Sequence, residues 1–491
     1  MNNPSMNGCA ALLARHAVRQ DAQPALMHCD RQGDLQSLSW LDLAGRVAQR
    51  LDAIDQLGLA SGERLVHAMG NTGDGVAVAL ASLIAGTIEV PLPPPTADVT
   101  DPEGQMNSLR AAQDLVGGTW LEHEPIGQPS RLLDFASLQA RELQHRAQQP
   151  ALILFTSGST GKPRGVTLSR RNLFSNARAK LAAAPQRRRD RRLTVLPLWH
   201  AYARTCDLMT WLLSGCTLAV GHGWEGWQQL APTTKPTLIN TVPSFAKRLL
   251  NQAIETEPAS RLRMLGCGGA AIDSDAFTRF TDQGIIVIQG YGLTEASPVV
   301  CSATPDNARP DHVGCPLRGC EIRVADDGLL RIRGDGVMLG YWDDRQSTAA
   351  KIVDGWLDTG DCVEVDPDDG QLRILGRTDD RITLSNGLKF FPKMMEDCIA
   401  SLPGIRHALL IANDRHVELF IDVDPSLRPI PGATSDIKQA VQRFPAWQRP
   451  RQIFVTPQPL TNTPGATTAK GTLCRPIAIS ACLELRGSGR R

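Results

Sequence analysis

The chain has 491 residues, 42% apolar and 21% charged, with a mean hydropathy of −0.18, which suits two or three domains with large buried cores and excludes a single small module. Lys and Arg number 52 against 51 Asp and Glu, a formal net charge of +1, so no global basic field exists to recruit nucleic acid or an anionic membrane. No apolar run approaches the roughly 20 residues that span a bilayer.

MNNPSMNGCAALLARHAVRQ has no basic region ahead of its short apolar stretch and resembles no signal peptide. Twelve cysteines are scattered without a CxxC pair, Cys315 and Cys320 coming closest with four residues between them and no nearby His. Scattered thiols of this kind point to the cytoplasm. LSWLDLAGRVAQRLDAIDQLGL (38–59) carries apolar residues at helical spacing and ends in Gly58 and Gly62. Strands are predicted at 63–69 and 87–92, and GVAVALASLIAG (75–86) between them is apolar nearly all round, as a buried helix is. The Pro-rich stretch 91–104 predicts an exposed connection.

Strand-like runs recur at 151–156, 192–198, 236–242, 262–269 and 284–292. Helical stretches separate them, which argues for parallel βαβ units and an α/β core. QRRRDRR (186–192) reads as a solvated loop, because no aromatic stacking partners are interleaved. Beyond 310, the DDG turns within 320–336 and 361–377 predict β-hairpins. From about 379 a helix (391–402), two strands (407–413, 416–423) and a second helix (435–444) predict a small α+β domain.

Chemistry concentrates first in ALILFTSGSTGKPRGVTLSRRNL (151–173), where an apolar strand runs into a glycine-rich turn and then an amphipathic segment. Gly158, Gly161 and Gly165 let backbone approach a ligand closely. Thr156, Ser157, Ser159 and Thr160 offer hydroxyls, and Lys162 and Arg164 offer cations, a combination suited to a polyphosphate. It is not a Walker A loop, since Thr156 stands at the first glycine position and Pro163 follows Lys162.

This loop resembles the phosphate-binding signature of the acyl-adenylate-forming (AMP-dependent synthetase/ligase) superfamily, and that superfamily's other motifs occur here in its order. LPLWHAYARTCDLM (196–209) looks like the segment whose His, here His200, lies beside the acyl pocket. LRMLGCGGAAI (262–272) is similar to the strand and glycine turn whose backbone, here Gly268, Gly269 and Ala270, borders adenine or the acyl group. In QGYGLTEASPV (289–299) the resemblance places Tyr291 and Gly292 by adenine, Thr294 on phosphate and Glu295 on Mg²⁺. In DGWLDTGD (354–361) it puts Asp361 on the ribose hydroxyls, and in ILGRTDDRITLSNGLKFFP (374–392) it puts Arg377 on ribose or phosphate, Asp379 at a hinge and Asn386–Gly387 towards the thiol channel. PLTNTPGATTAKGTLCRP (459–476) matches the superfamily's C-terminal lysine motif irregularly, with Lys470 as the candidate catalytic lysine. Arg164 also departs from the usual lysine, a planar fork in place of a point cation.

The resemblance implies an α/β fold: a large N-terminal domain (1–378) of α/β subdomains with a small β-barrel-like part, plus a small mobile α+β C-terminal domain (379–491). It implies ATP-dependent activation of a small-molecule carboxylic acid through acyl-AMP, with Lys470, Glu295, Thr156 and His200 in catalytic roles. Transfer to a thiol follows, of coenzyme A or of a separate phosphopantetheinylated acyl carrier protein. The motif texture is nearest to fatty acyl-CoA synthetases, while the compact N-terminal part also suits a medium-chain or aromatic acid. A non-catalytic nucleotide- or acid-binding protein on the same fold is the alternative from another class, against which stand Thr156, Glu295, Asp361 and Arg377.

Overall fold

The apolar runs become strands of two largely parallel sheets. The computed structural model describes residues 8–19, 23–30, 32–95, 102–122, 134–157, 163–252, 254–414, 416–423, 433–463, 466 and 473–487. Among these, the larger sheet sets Ile286–Gly292, Met264–Cys267, Leu238–Thr241, Arg191–Thr194, Thr217–Val220 and Leu26–Cys29 side by side and parallel. Antiparallel strands extend it at both ends, Val299–Ser302 next to Ile286–Gly292 and Leu35–Leu38 next to Leu26–Cys29. The smaller sheet runs Thr119–Trp120, Arg64–His67, Ile88–Pro91 and Pro150–Ser157 in parallel. Pro163–Ser169 and then Gly340–Tyr341 add to it antiparallel. Strands such as Met264–Cys267 and Thr217–Val220 are buried along their whole length, which is why they read as largely apolar runs rather than alternating ones.

Local chemistry fixes the helices between them. Ser39 caps the helix Trp40–Gln56 in a reciprocal capping box with Asp42, and Thr72 caps the almost wholly buried helix Gly73–Ala85, which ends in a left-handed Gly86. The amphipathic segment after the glycine loop resolves into the strand Pro163–Ser169 and the helix Arg170–Ala183, divided by a second capping box at Ser169 and Asn172. Part of the Pro-rich stretch, 96–101, lies outside the described residues, and Pro102 already begins the helix Pro102–Val116, where its missing N–H costs nothing.

The basic run 186–192 is a solvated loop only in part. Asp190 and Arg192 are buried, because each has a partner: Arg263 Nε donates to Asp190 Oδ1 at 2.8 Å and Arg192 Nη1 to Asp207 Oδ1 at 2.5 Å. Its last two residues open the strand Arg191–Thr194.

Segment 320–377 supplies a five-stranded sheet of Cys320–Val324, Leu329–Gly334, Ile352–Val353, Trp356–Val365 and Leu372–Arg377, with the helix Arg345–Lys351 inserted before Ile352. The chain divides into two compact units, the second formed mainly by Arg373–Arg491 with Val324–Leu330 and Thr359–Val365. In that unit Ile405–Asn413, His416–Val423 and Pro450–Val455 form a three-stranded sheet. One face packs on Met395 and Ile399 of the helix Lys393–Ala400, the other on Ala478 and Cys482 of the helix Arg475–Gly487.

One buried titratable group makes the first unit pH-sensitive. His16 lies 4.5 Å from the Trp40 ring and its Nε2 meets the Leu212 carbonyl at 2.9 Å. Burial pushes its imidazole down to about 4, only partly offset by that hydrogen bond. The unfolded chain takes up the proton near 6.5 and the folded chain only near 4, so this stability is complete above 6.5 and is lost as pH falls through that window. The loss is on the order of 3 kcal/mol. Thermal melts from pH 7 to 4.5 should therefore fall less steeply for His16→Gln than for the wild type, and parallel curves would refute the assignment.

Candidate active site

The strand Pro150–Ser157 is apolar up to Phe155 and then offers Thr156 and Ser157. Gly158, Ser159, Thr160, Gly161 and Lys162 lie outside the described residues. The two limbs on either side are in register, Thr156 opposite Arg164 and Ser157 opposite Pro163. The Arg164 guanidinium stands 5.4 Å above the Tyr341 ring. Tyr341 is brought there by pairing with Val166 on the returning limb, and its hydroxyl donates to Glu295 Oε1 at 2.9 Å. Burial and the Glu295 carboxylate both push the Tyr341 phenol up, so it keeps its proton as a donor. Thr156, Arg164, Tyr341 and Glu295 thus form one connected series.

Glu295 sits in the short 3₁₀ turn Thr294–Ala296 that follows the strand Ile286–Gly292. The turn is pinned on several sides: Met338 N donates to the Glu295 carbonyl at 2.8 Å, Thr205 Oγ1 to the Ser297 carbonyl at 2.9 Å and Asn176 Nδ2 to the Val299 carbonyl at 2.8 Å. Gly292 is required, since a Cβ there would lie 2.0 Å from the Pro298 carbonyl oxygen. Thr294 is buried and Tyr291 half-buried.

Gly268, Gly269 and Ala270 follow the end of Met264–Cys267, with Gly269 left-handed at φ 82°. His200 follows the strand Arg191–Thr194, half-buried, and its carbonyl accepts from Arg204 N at 3.0 Å. Tyr291, Gly268–Ala270 and His200 therefore all stand at the carboxyl ends of parallel strands, the edge at which α/β sheets hold ligands.

In the second unit Asp361 is mostly buried on Trp356–Val365, and Arg377 Nη1 lies 3.5 Å from its Oδ1. Asp379 is exposed within the 3₁₀ turn Thr378–Asp380. Asn386 and Gly387 form the exposed tip between Ile382–Thr383 and Lys389–Phe390, with Gly387 left-handed at φ 83°. Lys470 lies outside the described residues.

Three groups escape sequence reasoning. Tyr341 is 46 residues from its partner Glu295; the only local signal is GY following the apolar VML (337–341). Glu89 accepts from His67 Nε2 at 3.0 Å and from Arg204 Nη2 at 2.8 Å, all three buried. Burial alone would raise the Glu89 carboxyl, but Arg204 and His67 outweigh it and hold the group below its ordinary value. Asn71 donates to the carbonyls of Leu196 and Gly221 at 2.8 and 2.6 Å, and accepts from Leu198 N at 2.8 Å, fixing the segment that leads to His200.

Comparison with known proteins agrees with this layout. The AMP-binding enzyme model matches residues 13–342 and the AMP-binding enzyme C-terminal domain model matches 379–483. A feruloyl-CoA synthase from an Amycolatopsis species is 28% identical over 409 residues, 76% of this chain and 80% of its own. A long-chain-fatty-acid–CoA ligase from Mycobacterium bovis is 27% identical over 67% of this chain and 63% of its own. Among solved structures, the anthranilate CoA ligase AuaEII in complex with anthranoyl-AMP superposes with a TM-score of 0.80 at 19% identity, covering 98% of both chains, a likeness of fold. The chain belongs to the AMP-binding enzyme family. It is an AMP-forming acid–thiol ligase, activating a carboxylic acid with ATP through an acyl-AMP.

Tyr341→Phe removes the donor to Glu295 and keeps the ring beneath Arg164. A hydrogen bond to a charged group contributes about 1.5–3 kcal/mol, so adenylation should slow by roughly ten-fold or more. ATP–pyrophosphate exchange checks this, and an unchanged rate would separate Tyr341 from the site.

Proposed function

We propose that this enzyme converts a fatty or aromatic carboxylic acid to its coenzyme A thioester, with Thr156, Arg164 and Glu295 acting on the nucleotide phosphates. The observation that carries the reading is the series Thr156–Arg164–Tyr341–Glu295 at the mouth of the glycine-rich loop. A carboxylate must attack the α-phosphorus of ATP as pyrophosphate leaves. Two anions meet, so charge neutralisation is the main catalytic task. Arg164 supplies a fixed cation and Thr156 a hydroxyl on the limb opposite it. Residues 157–162 supply backbone N–H groups, further hydroxyls and Lys162.

Glu295 fits a magnesium site of the kind shared with a nucleotide. Its Oε1 is oriented by Tyr341, and among the described residues no set of three or more His, Cys, Asp or Glu side chains converges on an ion. One carboxylate plus phosphate oxygens is the ordinary way Mg²⁺ is held beside ATP. When bound, Mg²⁺ would neutralise phosphate charge.

Tyr291 offers a π-face to adenine, beside Gly268–Ala270, and Asp361 with Arg377 addresses the ribose. His200 stands beside the acyl group. Lys470 is the adenylation lysine and Asp379 the hinge, with Gly387 presented for the thiol step. Coenzyme A is the thiol acceptor, and a holo carrier protein is the competing acceptor that the same assay compares.

Acid-dependent ATP–pyrophosphate exchange over fatty and aromatic acids should appear with one class, and thioester should form with coenzyme A. No exchange with any acid despite ATP binding would overturn the reading in favour of a binding protein. Thioester with a holo carrier protein alone would overturn the acceptor. Lys470→Ala should suppress exchange much more than thioester formation from supplied acyl-AMP, and equal losses in the two half-reactions would remove its assigned role.

A further inference from the structure

The packing beside two glycines in the first unit bears on which acid is taken. Residues 264 and 266 share one face of the strand Met264–Cys267, 268 follows just past its end, and 266 and 268 are glycine. Tyr202, two residues after His200, fills the space that the missing side chains leave. A Cβ on Gly268 would stand 2.9 Å from the Tyr202 ring, and one on Gly266 would stand 3.1 Å from its hydroxyl. Asn240 on the neighbouring strand closes the same space, its Oδ1 lying 2.0 Å from the Gly266 Cβ position. Asn240 is itself anchored, donating to Asp207 Oδ1 at 2.6 Å and to the Cys206 carbonyl at 3.2 Å. Tyr202 packs against the buried cluster of Cys206, Val299 and Leu317.

Gly266 and Asn240 also border a cavity of about 10 Å³, whose wall includes Arg192, Lys180, Met264 and Ile288. That holds a single water-sized group. Lys180 is buried there with its ammonium donating to Ser302 Oγ at 2.7 Å. The room beside Gly266 is thus small, with buried polar groups in its wall.

Gly268 ends its strand at the carboxyl edge, where Tyr291 and Glu295 follow the adjacent parallel strand. We infer that an acid reacting at that edge directs its tail along Gly268 onto the Tyr202 ring, and that Tyr202 is a specificity-determining residue that floors the acyl site, so that the acid taken is compact, a single aromatic ring or a short chain, and not a long-chain fatty acid. The inference rests on the acid–thiol ligase reading above. A long tail would have to displace the ring and then lay methylenes against the buried polar groups of Lys180, Asn240 and Arg192, an unfavourable apolar–polar contact.

The test is ATP–pyrophosphate exchange with a straight-chain series from acetate to palmitate, together with benzoate. It is run on the wild type and on Tyr202→Phe, Tyr202→Ala and Tyr202→Trp. Wild type should favour benzoate or the short acids over palmitate by at least about ten-fold, and Tyr202→Phe should keep that profile because the ring remains. Tyr202→Ala should raise the ratio of long to short acids by roughly ten-fold or more, from the room a missing ring leaves. Tyr202→Trp acts in the other direction, depressing benzoate relative to acetate, and keeps the proposal open to refutation if the alanine variant does not fold. Palmitate used by the wild type as well as benzoate, or a profile unmoved in folded alanine and tryptophan variants, would overturn the role of Tyr202. Absence of exchange with every acid in every protein, with ATP still bound, would instead overturn the ligase reading and this inference with it.

Discussion

The first unit depends on one buried carboxylate. Glu89 sits on a central strand of the smaller sheet, where it meets His67 on the neighbouring strand and Arg204 from the segment that follows the larger sheet's strand Arg191–Thr194. An ion taken out of water costs several kcal/mol unless its lone pairs are satisfied, and a pair broken on one side leaves an uncompensated charge that costs about 3–5 kcal/mol. Here both carboxylate oxygens are engaged. The two sheets therefore cannot shift past each other at this point without exposing a charge to an apolar interior. Asn71 adds a neutral stitch between the same layers through Leu196, Leu198 and Gly221. Residues that follow strand ends, His200 among them, thereby inherit the rigidity of the sheets beneath them.

On that base the phosphate-side groups are ordered by neighbours rather than by their own segments. Arg164 is half-buried over an aromatic face, which limits its rotamers and weakens its competition with water. Tyr341, a protonated phenol, donates to Glu295, so one carboxylate oxygen is fixed and the direction of the other follows. Such ordering is done before a nucleotide arrives, and it is the form of preorganisation that lets fixed charges act without rearranging during reaction.

How much of this was legible in the sequence follows from the range of each interaction. Strands such as Met264–Cys267 and Thr217–Val220 are buried along their whole length, and burial of that kind imposes a largely apolar run that any reader can see. Thr156, Tyr291, Glu295 and Asp361 stand in short contiguous motifs whose order along the chain carries the resemblance. Tyr341 belongs to a two-residue strand whose meaning comes only from pairing with Val166, far away in sequence. Glu89 and Arg204 are 115 residues apart, and an isolated charge inside an apolar run gives no hint of its partner. The run 186–192 shows the reverse error: its composition suggests solvent, while two of its members are buried because Arg263 and Asp207 meet them. Composition reports average exposure and is blind to pairing across the fold.

The π-helical turn Arg204–Met209 has a consequence for how this segment can change over evolution. Such a turn holds one residue more than an α-helical turn would, and it lets Arg204 reach Glu89 while Asp207, three residues on, faces Arg192 and Asn240. Deleting a residue between Arg204 and Asp207 would remove the extra residue of the turn and change the angle between these two side chains about the helix axis. One of the two ion pairs would then lose its partner. Substitution is open to this stretch of chain, but a change of length is not, and related sequences that retain both pairs should align through it without a gap.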